Sequence, residues 1–295
     1  MSRELVLGVL ALGVCGAITW LSGWVIPGAG TAPSPASPAR VLECEAWRRL
    51  WAPLLPSALA LTALLGWGLQ EPGQTDELLR PLAPLLIAPF AVIGLRAAWR
   101  AVRALRVPSA LPVAATIGLV RPRVVLDVRL AATLDAAQWT AVLAHEQAHA
   151  RHRDPLRLWL AQLATDLQWP IPAARRRLDD WSSRLELARD EEARQRGIAG
   201  EDLAAAIVEA ARLSAPLQAA RLGAQAAVAS LTGPERGLLA RVQRLLAPLP
   251  EAVVGGRGWP ARAGLGALLA VTLALALLAG LHFGDALVRP LPLII

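Results

Sequence analysis

The sequence predicts a mainly α-helical integral membrane protein, with about four transmembrane helices and one cytoplasmic α+β domain. Three observations lead to this fold class. The chain of 295 residues is 55% hydrophobic. Its apolar residues are concentrated in four runs, each near the length of about 20 residues that a bilayer-spanning helix needs. A polar block with both strand-like and helix-like patterns separates the third run from the fourth.

The apolar runs divide the chain into three predicted parts. Residues 1–106 form a membrane region with transmembrane helices at about 5–26, 51–69 and 82–99. Residues 107–258 form the polar domain, and residues 259–295 contain a fourth transmembrane helix at about 263–283 and a short tail. The third run is the weakest of the four because Pro84, Pro89 and Arg96 lie within it. A buried helix of a globular domain is the alternative for that run.

The placement of arginine predicts which side of the membrane the polar domain faces. The chain has a formal net charge of +7 and contains no lysine. Cytoplasmic segments beside membrane helices carry an excess of positive residues. We therefore expect the domain to face the cytoplasm from a bacterial inner membrane, with the lipid bilayer as a partner and no direct binding of nucleic acid. The arginines that follow the third run are Arg96, Arg100, Arg103 and Arg106.

The polar domain begins with strand-like sequence and continues with helix signals. Ala114–Leu119 and Val124–Val128 contain β-branched residues and are separated by a turn-like segment, so they predict a small β-hairpin or sheet. An acidic residue at a helix start, followed by Gln or Pro, indicates a capped helix. Three helices are predicted directly after the strands, from Asp135 with Gln138, from Asp154 with Pro155, and over Ala173–Arg196, and two or three further helices are predicted between Asp202 and Leu246.

The segment His145-Glu146-Gln147-Ala148-His149 carries the chemistry that the residues indicate. It lies in the first of these helices, where residues four apart share one face. Two histidines placed in this way can bind one zinc ion, and the glutamate between them can accept a proton from the water that zinc activates. The pattern predicts a zinc metallopeptidase with one Zn²⁺ per chain, His145 and His149 as ligands and Glu146 as the catalytic base. A packed or solvated histidine pair is the alternative.

Catalytic zinc needs a third protein ligand. The extended motif with a third histidine is excluded, because His152 stands at its glycine position and Pro155 at its histidine position. The ligand is therefore expected to be a carboxylate from a later helix. Glu186 and Asp190 are four residues apart, so one can bind the metal while the other hydrogen-bonds a ligand histidine. The residues alone also leave open Asp179, Asp180, Glu191 and Glu192.

Residues 118–154, GLVRPRVVLDVRLAATLDAAQWTAVLAHEQAHARHRD, resemble the membrane zinc metallopeptidases of the BlaR/MecR type, and so does the later LELARDEEA. The shared features are apolar spans before the domain, H-E-x-x-H in a cytoplasm-facing zincin-like domain, and a downstream E-x-x-x-D. The resemblance implies that Glu186 is the third zinc ligand, which leaves Asp190 to orient a histidine. The penicillin-binding sensor domain of some members has no counterpart in Gly284–Ile295, so sensing of β-lactams is not expected.

The resemblance also implies a membrane-bound zinc endopeptidase that acts in signal transduction. Related receptors cleave a transcriptional repressor and themselves, so a cytoplasmic regulator or the chain itself is the expected substrate. Val124–Val128 is the candidate edge strand for an extended substrate. The oxyanion formed during cleavage needs a donor besides zinc. His152, an arginine or a backbone amide can serve, because the chain contains no tyrosine.

Two further hypotheses stay open at the level of sequence. An HtpX-like or CAAX-protease-like membrane zinc protease combines the same two motifs, although their positions relative to the spans fit the BlaR/MecR type better. A catalytically silent membrane signalling or scaffold protein belongs to a different class, and the intact ligand and base positions argue against it.

Overall fold

The computed structural model describes residues 13–28, 37–68, 83–105, 113–219, 229–230, 237–249, 273–274 and 277–278. These residues are mostly helical, with one small antiparallel sheet. The helices are α1 Cys15–Val25, α2 Ala39–Trp51, α3 Leu55–Gly68, α4 Ala83–Ala104, α5 Val128–Thr133, α6 Ala136–Arg151, α7 Asp154–Leu167, α8 Pro172–Gln195, α9 Gly200–Ala219 and α10 Leu238–Leu246. The strands are β1 Ala114–Ile117, β2 Arg123–Leu126 and β3 Ala229–Ser230.

The predicted integral membrane fold with four transmembrane helices is wrong for the residues that the structure describes. None of their helices is both long and apolar enough to cross a membrane. Helix α1 has 11 residues, and a 3₁₀ turn at Ala52–Leu54 occupies the start of the run 51–69, so that α3, which follows it, has 14. Helix α4 has 22 residues, but Arg96 and Arg100 interrupt its apolar sequence and pair with Asp166 on α7. Most of the predicted fourth span lies outside the described residues.

The predicted strand pair is present, with shorter bounds than the sequence indicated. Strands β1 and β2 are antiparallel, with Ala114 opposite Leu126 and Ile117 opposite Arg123. Gly118 follows β1 at φ 97°, a backbone conformation that glycine adopts without a steric penalty. Strand β3 pairs with the other side of β1, so the order in the sheet is β2-β1-β3. Strand β1 is therefore central, and its first three residues are buried.

Helix α6 begins at the predicted capping box. The Asp135 side chain accepts a hydrogen bond from the Gln138 backbone N–H, and the Gln138 side chain accepts one from the Asp135 N–H. These reciprocal bonds satisfy backbone donors that the first helical turn leaves free, and so they fix where the helix begins. The apolar core beside α6, the sheet and α9 includes Val113, Leu130, Ala141, Val142, Ala193, Leu203 and Ile207.

Helix α8 contributes side chains to two hydrophobic clusters, the one beside α6 and α9 and a second one beside α2 and α7. Its apolar side chains Trp181 and Leu185 pack against Leu50 of α2 and Ala161 of α7. Charged side chains along the helix are buried as well, and a buried charge is stable only with a partner. Ion pairs therefore hold α8 in place together with apolar packing. The buried charged residues of α8 are Arg177, Arg184, Glu186, Arg189, Asp190 and Glu191.

Candidate metal centre

Helix α6 brings two histidine rings together in the interior. His145 and His149 are fully buried, and they share one face of the helix because they are four residues apart. Their Nε2 atoms are 3.0 Å apart, and the ring centroids are 4.7 Å apart in an edge-to-face arrangement. The Nδ1 atom of each ring lies beside a carboxylate. Both Nε2 atoms are therefore directed to the same place, where they can bind one metal ion together.

Glu186 on α8 lies against this pair. Its Oε2 is 3.6 Å from His145 Nε2, and its Oε1 is 3.7 Å from His149 Nε2. One ligand atom from each of the three residues lies within 4.8 Å of the other two. Two imidazole nitrogens and one carboxylate oxygen form a ligand set that catalytic zinc takes, with a fourth position open. The residues present therefore fit a zinc ion.

A carboxylate close in sequence orients His149. Asp154 Oδ2 lies 2.9 Å from His149 Nδ1. Arg189 donates from Nε to Asp154 Oδ2 at 2.5 Å and from Nη2 to Oδ1 at 3.0 Å, and Arg157 Nη1 donates to Oδ1 at 3.0 Å. Arg157 also pairs with Glu43 on α2. Although burial acts in the opposite direction, hydrogen bonds from His149 and Arg189 hold the pKa of Asp154 well below its ordinary value.

The turn between α6 and α7 places Asp154 beside His149. Arg153 has left-handed backbone angles of φ 52° and ψ 44°, which residues other than glycine seldom adopt. The sequence predicts Asp154 as the cap of the next helix, but Arg153 precedes the helix and Asp154 is its first residue. The Asp154 side chain turns toward His149 instead. A carboxylate in this position fixes the ring orientation of a ligand histidine and raises its basicity.

A pair of residues distant in sequence orients His145. Asp190 Oδ1 lies 2.9 Å from His145 Nδ1. Arg241 on α10 donates from Nε and Nη2 to the two Asp190 oxygens, each at 2.8 Å, and its Nη1 lies 3.0 Å from Glu186 Oε2. Although burial acts in the opposite direction, Asp190 and Glu186 raise the pKa of His145 to about 9. Arg241 likewise lowers the pKa of both carboxyl groups against the effect of burial.

Glu146 is held against the central strand of the sheet. The Thr116 hydroxyl on β1 lies 2.8 Å from Glu146 Oε2 and 2.9 Å from the Glu146 backbone oxygen, and it can donate to either. Glu146 Oε1 is buried and has no hydrogen-bond partner among the described residues. Burial raises the pKa of Glu146, and the two histidines oppose that shift. One carboxylate oxygen is therefore anchored, while the other is left available to accept a proton.

His152 and the remaining acidic candidates contact other groups. His152 is 32% exposed, and its Nε2 lies 2.8 Å from Glu192 Oε2. Its role as an oxyanion donor stays a prediction. The other carboxylates that the sequence left open have partners outside the group formed by His145, His149 and Glu186. Asp179 lies near Arg175, Asp180 near Arg49 and Arg184, Glu191 near the Ala39 backbone N–H and Arg244, and Glu192 near His152 and Arg151.

Sequence reasoning did not assign Thr116, Asp154 or Arg241 to the site. Asp154 had a local signal, since it follows His149 by five residues across a short turn. Thr116 lies 30 residues before Glu146, and Arg241 lies 51 residues after Asp190. No helix or strand period connects residues at such separations. The sheet and the packing of α10 bring them to the site.

Comparison with known proteins yields a family match. A model of the family described as BlaR1 peptidase M56 matches residues 95–196, which include both histidines, Glu146, Glu186 and Asp190. No curated protein and no solved structure matches the chain. Arg241 lies beyond the matched residues. The predicted cellular location, lipid partner and protein substrate are not tested by this match, and they stay predictions.

Proposed function

We propose that this chain, whose match supports membership of the BlaR1/MecR-type peptidase family, is a zinc-dependent endopeptidase. His145, His149 and Glu186 would hold the zinc ion, and Glu146 would act as the base. The observation that carries the proposal is the meeting of three ligand atoms within 4.8 Å of one another, drawn from two helices. An H-E-x-x-H sequence alone does not require a carboxylate from another helix at this position.

The residues of the chain divide the work of peptide hydrolysis between them. When bound, zinc would supply a Lewis acid that activates water and polarises the scissile carbonyl. Glu146 accepts a proton from the attacking water at Oε1 and passes it to the leaving amine, while Thr116 anchors Oε2. Asp154 and Asp190 hold the two imidazole rings so that their Nε2 atoms converge. Each residue in this scheme is buried, so the geometry is fixed before substrate arrives.

The substrate is proposed to be a protein that binds in an extended conformation. Strand β2 is an edge of the described sheet, because it pairs with β1 on one side only. An extended peptide can add to such an edge through main-chain hydrogen bonds, and β2 pairs directly with β1, the strand whose Thr116 anchors Glu146. The family resemblance supports a regulatory protein, such as a transcriptional repressor, or the chain itself as the protein cleaved.

Glu146→Gln tests the proposed activity directly. The purified full chain would be supplied with zinc and incubated with β-casein, and fragments would be followed by mass spectrometry. We expect cleavage by the wild-type chain and a loss of about 10²–10⁴-fold in rate for the variant, the usual contribution of a general base. Bound zinc should stay near one ion per chain in both proteins, since Glu146 is not a ligand.

Two results would contradict the proposal. Equal cleavage by the wild-type chain and Glu146→Gln would show that another group, or a contaminating protease, does the chemistry. A wild-type chain that binds no stoichiometric zinc would favour the silent signalling or scaffold protein instead. A comparison of protein N-termini in cells that express either form would then identify natural substrates, including cleavage sites within the chain itself.

A further inference from the structure

Arg241 is a buried arginine that reaches two acidic residues of the candidate metal centre. It lies on α10, is 3% exposed, and comes after the residues that the family model matches. Its Nε and Nη2 bind the two oxygens of Asp190 at 2.8 Å, and its Nη1 lies 3.0 Å from Glu186 Oε2. One guanidinium group thus contacts the carboxylate proposed as a ligand and the carboxylate that orients His145.

Two buried carboxylates side by side need a positive charge near them, and Arg241 supplies it. Glu186 and Asp190 are one helical turn apart on α8, and both are buried, so their negative charges repel each other in a medium of low dielectric constant. A guanidinium presents several donors in a rigid plane, and it can hold two carboxylates at fixed angles where a lysine ammonium cannot. Arg241 thereby fixes the Glu186 carboxylate on one side, with Oε1 directed toward His149 Nε2 at 3.7 Å.

Arg244, a second arginine of α10, makes it possible to distinguish the effect of the Arg241 contacts from the effect of docking the helix. Arg244 lies on the same helix and is largely buried, but it binds Glu191 at 3.0 Å and the Ser37 backbone oxygen at 2.5 Å. Neither of these partners belongs to the candidate metal centre. A variant at Arg244 therefore weakens the attachment of α10 without removing a group that contacts Glu186 or Asp190.

We propose that Arg241 is a positioning residue for the metal centre, which sets the orientation of Glu186 and, through Asp190, that of His145. This inference rests on the proposed function, because it presumes that the three residues bind zinc. It also makes α10 part of the site, although none of the residues that bind the metal or accept the proton lies on that helix. Arg241 does not touch substrate in this scheme.

The test is the zinc affinity of four full-length proteins, measured by competition with a chromophoric chelator. The proteins are the wild-type chain, Arg241→Met, Arg241→Lys and Arg244→Met. Removing a group that holds a metal ligand costs about 10–100-fold in metal affinity, so we expect that loss for Arg241→Met. Arg241→Lys should lose less, because it keeps the charge but not the planar set of donors. Arg244→Met should keep close to wild-type zinc affinity, since the partners of Arg244 are Glu191 and the Ser37 backbone oxygen rather than a proposed ligand or the carboxylate beside His145.

Each outcome decides one question. A wild-type chain that does not bind zinc overturns the proposed function and leaves nothing for Arg241 to position. Wild-type affinity in both Arg241 variants overturns the positioning role while leaving the metal site intact. Equal losses in Arg241→Met and Arg244→Met would assign the effect to docking of α10. If Arg241→Met does not fold, Arg241→Lys decides, because it retains a cation beside both carboxylates.

Discussion

Each histidine of the candidate metal centre lies beside a carboxylate that pairs with arginine, but the two sets of partners come from different distances along the chain. On the His149 side, Asp154 follows its histidine by five residues, and Arg189 and Arg157 clamp it. On the His145 side, Asp190 comes from another helix, and Arg241 from α10 clamps it. The His149 side is built from α6, α7 and α8, which follow one another in the chain. The His145 side also depends on α10, which lies later in the chain.

This difference indicates which side of the site is more firmly built. Asp154 has two arginine partners, and Arg157 extends the network to Glu43 on α2. Within the part of the chain that the structure describes, Asp190 pairs with Arg241, which also pairs with Glu186. We therefore expect the His149 side to matter more for the stability of the fold. The His145 side should respond more to changes that loosen α10.

The largest effect is expected for Asp154→Ala. Removing one partner of a buried ion pair costs about 3–5 kcal/mol, and this change removes the acceptor that Arg189 and Arg157 share, although Arg157 keeps its ion pair with Glu43. Urea unfolding of the metal-free protein measures the loss. Asp179→Ala is the control, because that aspartate lies exposed on α8 beside Arg175, and surface changes of this kind stay within about 0.5 kcal/mol. Similar losses in the two variants would contradict the network described around His149.

A smaller loss of stability is expected for Asp190→Ala. The variant removes the bidentate partner of Arg241, but the ion pair between Nη1 of the same guanidinium and Glu186 Oε2 at 3.0 Å is kept. The free energy of unfolding should therefore fall by about 3 kcal/mol, the lower end of the range for a broken buried pair. Zinc affinity should fall at the same time, because His145 loses the carboxylate that lies 2.9 Å from its Nδ1. A destabilisation as large as that of Asp154→Ala would remove the distinction between the two sides.

Thr116→Val tests a contact that neither histidine makes. Hydrogen bonds to charged groups contribute about 1.5–3 kcal/mol, so loss of the hydroxyl that holds Glu146 Oε2 should lower kcat at least about tenfold. Valine keeps the shape of threonine in a strand, and zinc binding should be unchanged. Thr116→Ser should restore most of the rate. Thr140→Val is the control, since that hydroxyl bonds to its own helix, and an equal loss there would refute the assignment.

The smallest effect is expected at Glu192, beside the partly buried His152. Although burial acts in the opposite direction, contacts with His152 and Arg151 lower the pKa of Glu192 to about 2 from an ordinary 4.5. A lowered pKa means that its stabilising effect is complete above pH 4.5 and is lost as the pH falls toward 2. Glu192→Gln should lower the free energy of unfolding by about 0.5 kcal/mol at pH 6. The difference from wild type should shrink at pH 3, and a constant difference would contradict the ion pair.

The local features of the site could be predicted from the sequence because they depend on short-range periods. The capping pair Asp135 and Gln138, the strand pair and the common face of His145 and His149 all follow from spacings of two to four residues. The apolar runs were misleading for a related reason. Hydropathy along the chain does not show that a 3₁₀ turn occupies Ala52–Leu54 at the start of the second run. It also does not show that two arginines of α4 pair with Asp166.

The sequence by itself determined a helix that presents two histidines and a glutamate, and a later helix with acidic residues four apart. The family resemblance already implied Glu186 as the third ligand, but only the tertiary structure shows that its carboxylate faces both Nε2 atoms. It also decided that Thr116 anchors the base and that Arg241 joins Glu186 to Asp190. These contacts join residues 30 or more positions apart, and such contacts arise from the packing of whole helices and strands rather than from any repeat along the chain.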